Sequence, residues 1–246
     1  MTAPQPTAPQ PDEIFAELAS IANADEAANL ARFFKTAPGE YGEGDRFRGI
    51  RVSVLRKVAR RYRAASRETL NALLDSEFHE DRMLAVLIML EQFARGDAET
   101  RRRVYDLYMK RTDAINNWDI IDVSAPHIVG PILRDGIEPE SLLDSLAASD
   151  SLWRRRIAVL ATFHFIKNGE ADVFLRLAEH LVHDPHDLMH KACGWMLREV
   201  AKHDRRVVES FLIRHLEHMP RVMLRYAIEH FPEERRQEFL KGRVER

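Results

Sequence analysis

Arg82-Met83-Leu84-Ala85-Val86-Leu87, Arg155-Arg156-Ile157-Ala158-Val159-Leu160 and Lys191-Ala192-Cys193-Gly194-Trp195-Met196 share one template. Each opens on a base, carries a small residue three positions later, and is otherwise mostly apolar. The starts at 82, 155 and 191 lie two repeats and then one repeat apart, at a period of about 36 residues. A period in the mid-thirties that carries two helices is the mark of an α-solenoid, where each pair buries its apolar face only against its neighbours. The small residue lets a partner helix come close. The missing start falls near residue 118. The expected fold is therefore all-α, a curved α–α superhelix in which equivalent residues of successive repeats converge on a concave face.

Working outward, apolar spacing predicts helices over about 68–75, 79–95, 98–111, 115–134, 139–148, 151–168, 171–183, 187–203, 205–217, 220–230 and 233–241. Breaks fall at Gly96-Asp97, Gly136, Asn168-Gly169, Asp184-Pro185, Pro220 and Pro232, and the connections are short, as antiparallel helix hairpins require. Pro11-Asp12 opens a first helix with its acids in the first turn, and a second runs from about Asp25 to Phe34. A third, from Val52, sets Leu55, Val58, Ala59 and Tyr62 on one side and its arginines on the other. The loop Pro38–Asp45 is the main break and has no phosphate-cradling glycine pattern. Residues 1–10, rich in Pro, Ala, Gln and Thr, read as a disordered tail, and 11–246 as a single repeat domain.

At 246 residues, 45% hydrophobic and 31% charged, the chain can bury a sizeable core under a polar surface. It has no apolar run of about 20 residues to span a membrane, and its first residues do not read as a secretory leader. Cys193 is the only cysteine, which excludes an internal disulfide and a cysteine-based zinc cluster. The expected location is a reducing cytoplasm. The formal net charge of −2 conceals a segregation. Arg46, Arg48, Arg51, Arg56, Lys57, Arg60, Arg61, Arg63 and Arg67 follow one another with no acid among them. Further basic clusters stand at Arg101–Arg103, Arg154–Arg156 and Arg198–Arg206. Such a pattern suits either a polyanion-binding face or solvated helix surfaces.

The candidate chemistry centres on Asn116-Asn117-Trp118-Asp119-Ile120-Ile121-Asp122. Trp118 and Asp122, four apart, share a helix face, while Ile120, Ile121 and Val123 can point inward. Repeat phase places Trp118, Asp122, Arg156 and Trp195 on helices of the same kind. Lys191, Trp195, Arg198 and Lys202 make a second stripe, mixing tryptophan with three bases, along one helix face. Asp119 points about 100° away from Trp118 and reads as a cap or surface contact.

These stretches resemble the AlkD family of DNA alkylation-repair glycosylases, which are built from HEAT-like repeats. The resemblance runs from about Phe33 to about Arg243. It is carried by Gly39-Glu40-Tyr41-Gly42-Glu43-Gly44-Asp45 with Gly49-Ile50, by Glu77-Phe78-His79-Glu80-Asp81-Arg82, by Trp118-Asp119-Ile120-Ile121-Asp122, by the Trp153–Leu160 run and by Lys191–Glu199. It implies excision of N3- and N7-alkylated purines from duplex DNA by hydrolysis of the N-glycosidic bond, without a cofactor or metal. Asp122 matches the catalytic aspartate, with Trp118 and Trp195 as the aromatics facing the same sugar. Arg156 matches an arginine on the DNA backbone and Arg56 a more loosely placed phosphate contact. Lys191, Arg198 and Lys202 are further candidate DNA contacts. The family's proline after Gly-Ile is Ser53 here. The resemblance implies a monomer acting on alkylated double-stranded DNA at the nucleoid, and no enclosed nucleobase pocket.

Other residues read differently. Of His183, His186 and His190, the last two are four apart as metal ligands can be, but no third ligand stands at matching spacing and Pro185 interrupts the run. Trp153 suits a core position, and Cys193 reads as a small buried hydrophobe. The other function class compatible with the chain is a non-catalytic helical-repeat scaffold for DNA or protein.

Overall fold

The computed structural model describes residues 9–244; the expected tail lies outside these except for Pro9 and Gln10. Fourteen α-helices and one isolated bridge, between Arg46 and Phe78, make up their regular structure. The helices are α1 (Pro11–Ser20), α2 (Ala24–Phe33), α3 (Val52–Arg61), α4 (Arg67–Leu74), α5 (His79–Arg95), α6 (Ala98–Lys110), α7 (Trp118–Arg134), α8 (Ser141–Ala147), α9 (Leu152–Lys167), α10 (Asp172–Leu181), α11 (Asp187–Ala201), α12 (Arg205–His215), α13 (Arg221–Ala227) and α14 (Glu233–Lys241). The chain divides into two compact units, residues 1–120 and 121–246, with the division passing through α7.

Local chemistry sets the helix starts. Side chains of Asn23, Ser66, Asp97, Ser151 and Asp204 each accept an N–H that the first turn cannot satisfy internally. Pro11 occupies the first turn of α1, where its missing N–H does no harm. Just before it, the Pro9 carbonyl accepts a bond from the Thr69 hydroxyl at 2.9 Å, so the chain is already anchored on α4 at a position read as tail. The helix expected from residue 115 begins at Trp118 because Asn117 turns its side-chain oxygen onto the Trp118 N–H, 2.8 Å away.

Within each unit, every second helix shares a layer. In the first unit α5 lies against α3 in one layer and against α4 and α6 in the other. In the second unit α9, α11 and α13 follow one another in one layer, backed by α8, α10 and α12. The template helices α5, α9 and α11 thus occupy equivalent places, and Ala85 and Ala158, the small residues of the first two, are fully buried.

The third small residue, Gly194, explains the template physically. A Cβ on it would stand 2.6 Å from the Met223 carbonyl oxygen and 2.6 Å from the Tyr226 Cβ on α13. Mid-helix Gly→Ala normally stabilises a helix by about 1 kcal/mol. Here the obstruction is backbone, so the overpacking penalty of about 1–3 kcal/mol wins. Gly194→Ala is therefore expected to lower the denaturant midpoint, read by circular dichroism; an unchanged or raised midpoint would contradict this packing.

Candidate active site

In the second unit, Arg156 is the organising residue. It lies in the second turn of α9, and its side chain is only 5% exposed. A guanidinium cannot shed its charge and brings five N–H donors, so burial demands partners. It donates from Nε and Nη2 to the two oxygens of Asp122 on α7, at 2.8 and 2.7 Å, and from Nη1 to the Leu188 carbonyl in α11 at 2.6 Å. The Asp122 carboxylate is gripped at two points yet keeps 15% of its side chain exposed. A fixed, partly accessible carboxylate can stabilise a developing cation and orient a water.

Trp195, half-buried on α11, packs against Phe163 of α9 with ring centroids 5.7 Å apart. Its Nε1 donates to Glu199 at 3.1 Å, one turn further along. Glu199 also takes the Lys202 ammonium at 2.7 Å. Arg198 pairs with Glu229, and Lys191 with Asp187 at 2.6 Å. All three bases of the expected stripe therefore carry acidic partners. Glu199, in the middle of the stripe, orients Trp195 through a bond that sequence spacing permits but does not announce.

In the first unit, the other aromatic is set by a buried polar cluster. Trp118 stacks on Phe34 at 5.4 Å and meets the exposed Phe33 edge-on at 6.0 Å. Asp119, expected as a cap or surface contact, turns inward: one oxygen accepts the Ile120 N–H at 2.8 Å and the other lies 2.9 Å from His79 Nε2. Asp45 stands 3.4 Å from His79 Nδ1, accepts from Arg82 at 2.5 Å and from Asn117 at 3.1 Å. Burial alone would lower the His79 pKa, but Asp119 and Asp45 outweigh it and push it up to about 9. Burial would raise that of Asp45, but its bonds to His79 and its proximity to Arg82 hold it below the ordinary carboxylate value.

The loop before α3 is pinned to the same turn of α5. Buried Glu80 accepts the N–H groups of Arg48, Gly49 and Ile50 at 2.9, 2.8 and 3.1 Å, and Asp81 pairs bidentately with Arg48 at 2.6 and 2.8 Å. Gly49 is obligatory there. Its φ is +79° and a Cβ would meet the Asn23 carbonyl oxygen at 2.0 Å.

The basic clusters separate into two kinds. Arg82, Arg155 and Arg156 face inward, while Arg102 and Arg103 pair with Asp106 and Glu99. On α3, by contrast, Arg56, Lys57 and Arg60 are exposed, and no acidic partner is found for them among the described residues; Arg63, just beyond the helix, is the same. Their charge faces solvent uncompensated. His186 caps α11 by accepting the Leu188 N–H at 3.1 Å, and His190 bonds the Asp184 carbonyl at 2.5 Å. Cys193 is fully buried, which pushes its thiol up to about 12.

With this geometry in view, comparison with known proteins places the chain. The family described as DNA alkylation repair enzyme matches residues 14–231. The chain belongs to that family. Its role is in the repair of alkylated DNA, and DNA binding goes with that role. A solved structure described as a predicted DNA alkylation repair enzyme from Enterococcus faecalis is similar at a TM-score of 0.64 and 16% identity, covering 86% of this chain and 97% of that one. That likeness shows the fold, an all-helical α-solenoid. No curated protein matches the chain. No helix among the described residues is long and apolar enough to cross a membrane.

The Arg156–Asp122 pair tests the construction of the site. Replacing Arg156 with Met takes the guanidinium away from a largely buried carboxylate, a loss on the order of 3 kcal/mol. For a chain of this size that lowers Tm by roughly 10 °C. A Tm within about 2 °C of wild type would show that the pair does not anchor these helices.

Proposed function

We propose that this chain is a DNA glycosylase that releases N3- and N7-alkylated purines from duplex DNA. The observation that carries the reading is the Asp122 carboxylate, held by Arg156 at two points and partly exposed.

The chemistry suits these groups. An N3- or N7-alkylated purine is cationic, so when the C1′–N bond breaks the bonding electrons neutralise the departing base, and no general acid is required. The sugar becomes oxocarbenium-like. Asp122 stabilises that charge and accepts the proton of the water that adds to C1′, leaving an abasic site. The π faces of Trp118 and Trp195 favour the same positive charge. Arg156, matched by resemblance to a contact on the DNA backbone, is nearly buried with its donors on Asp122 and Leu188. That burial supports a role in fixing Asp122. Residues 11–246 act in this reading as one HEAT-like repeat domain, a monomer working in the cytoplasm at the nucleoid.

Purine release from methylated duplex DNA is the direct test. Wild type is expected to liberate 3-methyladenine and 7-methylguanine, and Asp122→Asn to do so at least about a hundredfold more slowly with DNA binding retained. Absence of release by wild type at low salt would favour the scaffold reading, and equal release by the variant would remove Asp122 from the chemistry.

Affinity itself is expected to rest on the uncompensated bases. Replacing Arg56, Lys57 and Arg60 together by Ala should lessen the slope of log K against log salt by roughly three. Lys191→Ala and Lys202→Ala, which remove bases already paired within the protein, should each change it by less than about one. Equal effects from both sets would displace α3 as the principal phosphate contact.

A further inference from the structure

The first turn of α7 is held by a cluster that the proposed chemistry does not use. Both ring nitrogens of His79 face carboxylate oxygens, Nε2 at 2.9 Å from Asp119 and Nδ1 at 3.4 Å from Asp45. Ionised carboxylates only accept, so both contacts are hydrogen bonds only when the ring carries two N–H groups, as imidazolium. Phe34 and Phe47 pack against the ring, each with its centroid 4.9 Å away, and against one another at 5.1 Å. Phe34 is also the ring on which Trp118 stacks. The two carboxylates in turn govern the residues flanking Trp118. Asp119 follows it directly and accepts the Ile120 N–H, while Asp45 accepts from Asn117, whose own oxygen takes the Trp118 N–H. These N–H groups at the start of α7 have no partner within the helix.

We propose that His79 is a positioning residue for Trp118, and that its proton sets whether the tryptophan is held in the working orientation. This inference rests on the glycosylase reading for its effect on catalysis, but the effect on Trp118 itself does not. Loss of the proton leaves Asp119 and Asp45 facing a ring that can bond only one of them, and releases the first turn of α7.

Glu26 of α2 and Arg51, just before α3, line the same cavity as His79 and pair with each other at 3.0 Å. Asp45 comes from the loop before α3, and Asp119 and the neutral Asn117 come from the start of α7. On α5 itself, Arg82 is bonded to Asp45, Glu80 is taken by backbone N–H groups of residues 48–50, and Asp81 by Arg48. The folded-state pKa, near 9, lies above the ordinary 6.5. The stabilisation is therefore complete below pH 6.5 and is lost as pH rises through about 9.

Trp118 can be observed alone in a chain carrying Trp153→Phe and Trp195→Phe, through its fluorescence. The expected result is a change in emission between pH 7 and 10 with a midpoint near 9, absent when His79→Gln is added. In the chain with all its tryptophans, single-turnover base release, corrected for release without protein, should fall over the same range. His79→Gln should be slower at pH 7.5 by roughly tenfold to a hundredfold and flat with pH. An emission titration that survives His79→Gln overturns the proposal, as does a folded His79→Gln protein with the wild-type pH profile of release. If His79→Gln does not fold, Asp119→Asn decides: it is expected to move the emission midpoint down by about one unit or more, and an unmoved midpoint counts against the proposal. If wild type releases no base at any pH, the glycosylase reading fails while the emission titration still judges His79.

Discussion

A guanidinium that cannot be neutralised and is almost wholly removed from water is the constraint around which the second unit is arranged. Arg156 projects from α9 and finds its partners on α7 and on α11, the next helix in its layer. One side chain thus spans three helices, and its geometry dictates where Asp122 must stand. Replacing the pair by hydrocarbon of the same shape would disturb stability little. What the ion pair supplies and a greasy contact would not is a carboxylate in a defined orientation at the edge of the core.

The repeat's template base serves a related purpose. Arg82 and Arg155 occupy the same position, and each donates from Nη1 to the carbonyl six residues upstream, Ser76 at 3.1 Å and Ser149 at 3.0 Å. Each also pairs with a low-exposure aspartate from elsewhere in the chain, Asp45 and Asp184. The base closes the turn that leads into its own helix and ties that turn to a second segment. Lys191, with a single point charge instead of a fork, makes only a local pair with Asp187. Conserving charge at this position while shortening its reach gives a different joint.

Much of this architecture was legible in the sequence because helix packing is periodic. Helix existence, order and most boundaries followed from apolar spacing with Gly, Pro and capping residues as punctuation, and the small residue of the template pointed to the close approach now found at Gly194. Apolar spacing alone starts α7 near residue 115, but Asn117 spends its side chain on the next N–H and on Asp45, a choice made by tertiary structure, and the helix begins at Trp118. Charge was harder to read than hydrophobicity. A run such as Arg154-Arg155-Arg156 looks uniform, yet Arg154 is exposed while its two neighbours are committed inside the protein. Asp119, His79 and Asp45 form a cluster across sequence separations of 34 and 40 residues, for which no spacing rule exists. They lie within or beside the stretches that carry the family resemblance, the one signal that could have drawn attention to them.

Cys193 brings a different consequence. Alkylation repair is needed where electrophilic alkyl donors are abundant, and a thiolate is the protein nucleophile such reagents attack most readily. Burial pushes the Cys193 pKa up to about 12, so the thiol stays protonated at neutral pH. The sulfur is also enclosed by α11 and its neighbours, out of reach of solvent. A repair protein whose single sulfhydryl is both protonated and sealed presents almost no thiol chemistry to the agents whose damage it meets, and is spared the self-modification that an exposed cysteine would invite.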